Sequence, residues 1–159
     1  MGCLIWCEEF YKNQSSSFLL NLLIGLVYLR DHQDLKIDLH LVYRLTLDAK
    51  NITEIALKIP NEKAFEKFAT EEAMRFLMNQ DNFKSLQGLR SQLQSICYSD
   101  YRDIVKDHET GIDLFKSVRD GKIVFIFLDT RRFGTTARSI GRFIVQDLKS
   151  VSARIDSEV

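Results

Sequence analysis

The chain has 159 residues, is 45% apolar, contains a single proline and balances 22 Lys+Arg against 22 Asp+Glu. That length suits one sizeable core in one compact body, and a net charge of zero supplies no global field toward nucleic acid or an anionic bilayer, so any such binding has to be local. The longest apolar stretch, 18 to 29, is broken by Asn21 and falls well short of the roughly 20 residues that a membrane crossing needs.

At the N-terminus Glu8 and Glu9 follow the first apolar residues directly, with neither the basic region nor the small-residue cleavage site of a secretory signal, so a cytosolic protein is expected. Cys3, Cys7 and Cys97 are accordingly expected as reduced thiols, with no disulfide. Ser15, Ser16 and Ser17 offer hydroxyl acceptors for the start of a helix running to about Arg30. Its apolar character nearly all round predicts burial.

Residues 35 to 47 read two ways. Leu35, Ile37, Leu39, Leu41, Tyr43, Leu45 and Leu47 alternate as in a half-buried strand. A helix capped by Asp38, with Leu39, Val42, Tyr43 and Thr46 on one side, is the competing reading, and the helical character of the neighbouring segments favours it. After Pro60 and Asn61, the residues Phe65, Phe68, Ala69, Ala73, Phe76 and Leu77 recur at helical spacing and predict an amphipathic helix. Leu86, Leu89, Leu93 and Ile96 repeat the pattern, leaving Lys84, Gln87, Ser91, Gln94 and Ser95 for solvent or a partner.

The character then changes. Gly121 closes a turn after Asp120, and Ile123, Val124, Phe125, Ile126, Phe127 and Leu128 form an unbroken β-prone run, the pattern of a strand covered on both faces. From about Thr135, the residues Ala137, Ile140, Ile144, Leu148, Val151 and Ile155 share one helical stripe. A buried strand followed by a long amphipathic helix is half of a βαβ unit. Only Cys3 to Trp6 and residues 35 to 47 offer weak neighbours for that strand, which points to a helical domain joined to the edge of a sheet from a longer protein.

The segment GKIVFIFLDTRRFGTTARSIGRFIVQDLKSVSAR, Gly121 to Arg154, resembles a buried strand and long helix ending in a QDLK-like motif in type IV secretion coupling proteins, the TraD/TraG-like ATPases of conjugation. Upstream, the apolar helix at 18 to 29, the DLHLVYRL segment and the GLRSQL helix are similar in order and spacing to the all-alpha domain which those proteins insert into a RecA-like motor. The resemblance implies a mostly α fold: a linker or motor segment at 1–12, an all-alpha domain at 13–118, and at 119–159 one β-strand and a long helix from an incomplete RecA-like α/β domain.

It also implies a parent protein that binds ATP and Mg, assembles as a homo-hexamer at the cytoplasmic face of the inner membrane, and receives a relaxosome or a secreted protein substrate, with DNA as a further partner. This chain departs from the family in lacking a GxxxxGK[ST] loop and an acidic Walker B strand. Asp129 ends the β-prone run but is followed by Thr130 instead of a second acid. The expectation is a positioning module without ATPase activity, itself binding no cofactor, and on its own a monomer or weak dimer.

Two groups of residues are candidate contacts. Arg131, Arg132, Arg138 and Arg142 follow the run, where guanidinium groups beyond the carboxyl end of a sheet strand would meet a nucleotide phosphate or DNA. The alternative is that Arg138 and Arg142, at i and i+4, are only a solvated helix face. Lys84, Gln87, Arg90 and Gln94, with Tyr98 beyond them, form the face that the resemblance would turn toward DNA or a protein substrate, again with a plain solvated face as the alternative.

Cys3 and Cys7 lack further ligands for a metal, His32, His40 and His108 stand apart, and no GxSxG elbow is present, so neither zinc chemistry nor a serine hydrolase is a first reading. Two other classes remain open. One is a stand-alone helical interaction protein that dimerises through strand edges. The other is an independent DNA-binding protein, which the absence of a basic surplus disfavours.

Overall fold

The computed structural model describes residues 2–99, 102–103 and 111–158, with the side chains of 2–11, 133 and 158 outside the description. Among the described residues the regular structure is eight helices: α1 (Gly2–Gln33), α2 (Leu39–Leu45), α3 (Ala49–Lys58), α4 (Ala64–Met78), α5 (Gln80–Ser85), α6 (Gln87–Cys97), α7 (Leu114–Arg119) and α8 (Thr130–Glu158). None is long and apolar enough to cross a membrane. The fold is mostly α. It divides into two units, Met1–Asp107 carrying α1 to α6 and His108–Val159 carrying α7 and α8, in place of the single compact body that length suggests.

Local chemistry explains where most helices begin. Asp38 has extended backbone, and its carboxylate accepts from the Leu41 amide at 2.7 Å, which opens α2. Between the two readings of residues 35 to 47, the helix is the one that forms over 39–45. Asp48, Asn79 and Asp113 cap α3, α5 and α7 in the same way, each taking up an amide that the first helical turn leaves without an internal partner. Neither α3 nor α7 is among the elements anticipated from the sequence, although Ile52, Ile55 and Ala56 of α3, with Ile59 just beyond, recur at helical spacing and are buried.

α1 does not start at the serines. It runs continuously from Gly2 through Ser15, Ser16 and Ser17, because no proline or glycine interrupts residues 3 to 24 and a serine inside a helix costs only a few tenths of a kcal/mol. Nor is it buried all round. Phe18, Leu22, Leu26 and Leu29 form one inward stripe, while Leu20, Leu23 and Val27 are exposed. The inward stripe joins Val42, Tyr43 and Leu45 of α2, Ile52 and Ile55 of α3, Ala73 and Leu77 of α4, and Leu93 and Cys97 of α6 in the core of the first unit.

α4 packs on both α1 and α3. At Gly25 of α1 the approach is so close that an added Cβ would lie 2.0 Å from Thr70 Oγ1. Thr70 is buried, and its hydroxyl donates to the Glu66 carbonyl at 2.8 Å, so the close contact leaves no hydroxyl unpaired. Phe76 meets Phe18 with ring centroids 5.6 Å apart. Phe65 and Phe68, part of the same apolar pattern in the sequence, face out.

In the second unit α7 ends in a Schellman turn. Gly121 has φ 64°, its amide donates to the Val118 carbonyl at 3.0 Å, and the Lys122 amide donates to the Ser117 carbonyl at 2.9 Å. The turn expected at Asp120–Gly121 is therefore the end of a helix. The next residues, 122–129, belong to neither a helix nor a strand, and no strand occurs among the described residues. The strand expected at 123–128 is absent for a specific reason: a strand exists by hydrogen bonding to a neighbour, and both segments that offered one are helical, 3–6 within α1 and 39–45 within α2.

Candidate functional site

Asp129 is where the apolar run becomes a helix. Its carboxylate oxygen accepts from the amides of Arg131, at 3.1 Å, and Arg132, at 3.0 Å. Asp129 is thus engaged as the N-cap of α8. The helix is interrupted one turn later at Gly134, with φ 41° and ψ −106°, a conformation that disfavours any residue with a Cβ.

The four arginines lie on either side of that break, Arg131 and Arg132 before it and Arg138 and Arg142 after it, and all four are exposed. Arg138 reaches back along its own helix, with Nε 3.5 Å from the Gly134 carbonyl. As i and i+4 neighbours, Arg138 and Arg142 share a helix face, opposite in sense to the inward Ala137 and Ile140.

The apolar run ahead of Asp129 has a two-residue period in its exposure. Ile123, Phe125 and Phe127 are 82%, 91% and 89% exposed, whereas Ile126 is 45% exposed and Val124 and Leu128 are half-buried. Leu128 turns back on α8, its Cδ1 lying 3.4 Å from where a Cβ on Gly141 would be. Of the stripe expected on α8, Ala137, Ile140 and Val151 are buried, Ile144 and Ile155 half-buried, and Leu148 exposed. Leu128 is therefore turned toward the helix that follows, whereas Ile123, Phe125 and Phe127 carry large apolar side chains into solvent.

On the second candidate face Lys84, Gln87 and Gln94 are exposed, as is Tyr98. Arg90 is different. It is half-buried, its Nε donates to the Thr46 carbonyl at 2.8 Å, and its guanidinium lies 3.6 Å from the Phe83 ring centroid. Burial draws its pKa below the ordinary arginine value, opposed by Tyr43 nearby. Arg90 Nη2 and His40 Nε2 are buried without a hydrogen-bond partner among the described residues. Arg90 thus braces α6 against the end of α2, while the other three polar residues remain open.

His32 donates from Nδ1 to the Tyr28 carbonyl at 2.9 Å and stacks on the Tyr28 ring; His40 and Tyr43 both meet Tyr98 edge to face. His108 and the side chains of Cys3 and Cys7 lie outside the described residues. No cluster of metal-ligating side chains occurs among the described residues. In the second unit an open hollow of about 250 Å³ lies between Phe115 of α7 and Asp147, Ser150, Val151 and Arg154 of α8, with the Arg154 guanidinium 4.0 Å over the Phe115 ring.

Sequence reasoning did not assign Asp129 as a cap, Gly134 as a break or Arg90 as a brace. The first has a signal, an Asp immediately before a helical stretch. The third has none, because Thr46 is distant in the chain. Comparison of the chain with protein-family models, with curated proteins and with solved structures finds no match.

Proposed function

We propose that this chain is the substrate- or DNA-positioning part of a conjugative coupling ATPase of the TraD/TraG-like kind, with no ATP hydrolysis of its own. In this reading residues 13–118 are the all-alpha domain that receives relaxase-bound DNA or a secreted protein. Residues 119–159 supply one strand and one long helix to a RecA-like sheet whose remaining strands, ATP and Mg sites lie in the rest of a hexameric parent at the inner membrane.

The observation that carries the reading is the run from Ile123 to Leu128. Val124, Ile126 and Leu128 are less exposed than Ile123, Phe125 and Phe127, as along a half-buried strand, and Leu128 turns toward the following helix while Ile123, Phe125 and Phe127 stay uncovered. Exposing three such side chains in a row leaves unrealised roughly 1.5–3 kcal/mol each of burial free energy, which neighbouring strands and a second layer would supply. The resemblance of Gly121 to Arg154 to the family's strand and QDLK helix gives that missing layer its identity. Arg131, Arg132, Arg138 and Arg142 would then stand beyond the carboxyl end of a sheet strand, within reach of a phosphate, and Lys84, Gln87 and Gln94 would meet the substrate.

The test is the coding sequence on both sides of this chain. A GxxxxGK[ST] loop upstream and an apolar strand ending in Asp-Glu shortly after Val159 are expected, and stop codons flanking the 159 residues at both ends would overturn the assignment. The same exposed face favours a second reading, an independent interaction module that pairs with another copy of itself. In that case the 159-residue chain would sediment as a discrete dimer and its flanking sequence would encode no motor.

A further inference from the structure

We draw no further inference here: the strongest candidate, the exposed apolar face of Ile123, Phe125 and Phe127 ahead of α8, belongs to the site already described, and nothing else in the structure shows what covers it.

Discussion

At Gly25 a single methyl group decides how closely two helices approach. Alanine is ordinarily better than glycine in a helix by about 1 kcal/mol, yet its Cβ would meet Thr70 Oγ1 at 2.0 Å. Gly25→Ala is expected to lower the stability of the first unit by roughly 1–3 kcal/mol, as overpacking does. Thermal or urea denaturation reads this directly, and adding Thr70→Ala should restore part of the loss because it removes the obstructing hydroxyl. A Gly25→Ala protein at least as stable as the parent would contradict the close crossing of α1 and α4.

Arg90 separates from its neighbours at the same scale. Removing it leaves the Thr46 carbonyl without its donor and uncovers Phe83, so Arg90→Ala should cost about 1–3 kcal/mol. Alanine at Lys84, Gln87 or Gln94 should stay within about 0.5 kcal/mol, as exposed positions do. Equal losses at all four positions would show that Arg90 is no brace.

Cys97 is fully buried, and burial pushes its thiol pKa up, with Asp38 adding to the rise. An acid whose folded pKa is raised favours the folded state while protonated. Its contribution is complete below the unfolded thiol value of about 8.5 and is lost as pH climbs from there toward the folded pKa. Denaturation across the alkaline range should therefore show a decline that is shallower in Cys97→Ala. Identical slopes would remove the thiol as its cause. At this scale the sequence identifies Cys97 as a cysteine without a partner but not as a core residue, since its burial depends on helices distant in the chain.

At the scale of the element, caps carry much of the definition. Asp129 holds two amides at the head of α8, and its replacement by alanine should cost about 0.5–2 kcal/mol, with Asp129→Asn largely sparing the unit because an acceptor oxygen remains. Circular dichroism during melting would register the difference, and two variants with the same loss would indicate that charge, not capping, is what matters there. Helices α2, α3 and α7 each begin behind an Asp, yet only the first is anticipated from its neighbours. α7, six residues long, completes too few turns for periodicity to stand out, whereas α3 does carry Ile52, Ile55 and Ala56 at helical spacing and could have been found. The start of α1 shows the converse. Three serines are a sound cap signal, but a cap is used only where the preceding chain leaves helical geometry, and residues 2–14 do not.

For the molecule as a whole, the alternation at 123–128 gives an asymmetric prediction. Replacing Ile123, Phe125 and Phe127 together with serine should leave the melting of the second unit nearly unchanged, because these side chains are already in water. The same triple change should abolish concentration-dependent association in sedimentation, since a contiguous exposed apolar face is an association site. Leu128→Ser, by contrast, removes the contact near Gly141 and should lower stability. A triple variant that melts much earlier than the parent would mean that the outer face is packed in solution.

The amino-acid sequence alone was sufficient for the mostly helical class, for the identity of the long amphipathic helices and for the turn at Gly121, because periodicity and backbone preference act over a few residues. It also contained the unbroken β-prone run of 123–128, read as covered on both faces, whereas Ile123, Phe125 and Phe127 are exposed. Only the tertiary structure decided that this run stays unpaired among the described residues, that α1 buries one face and exposes another, that Phe65 and Phe68 point outward, and that Arg90 is tied to Thr46. The reason is physical. A helix closes its hydrogen bonds within itself, whereas a strand, a buried face and a long-range brace are each completed by residues elsewhere, and their state depends on whether those residues come within reach.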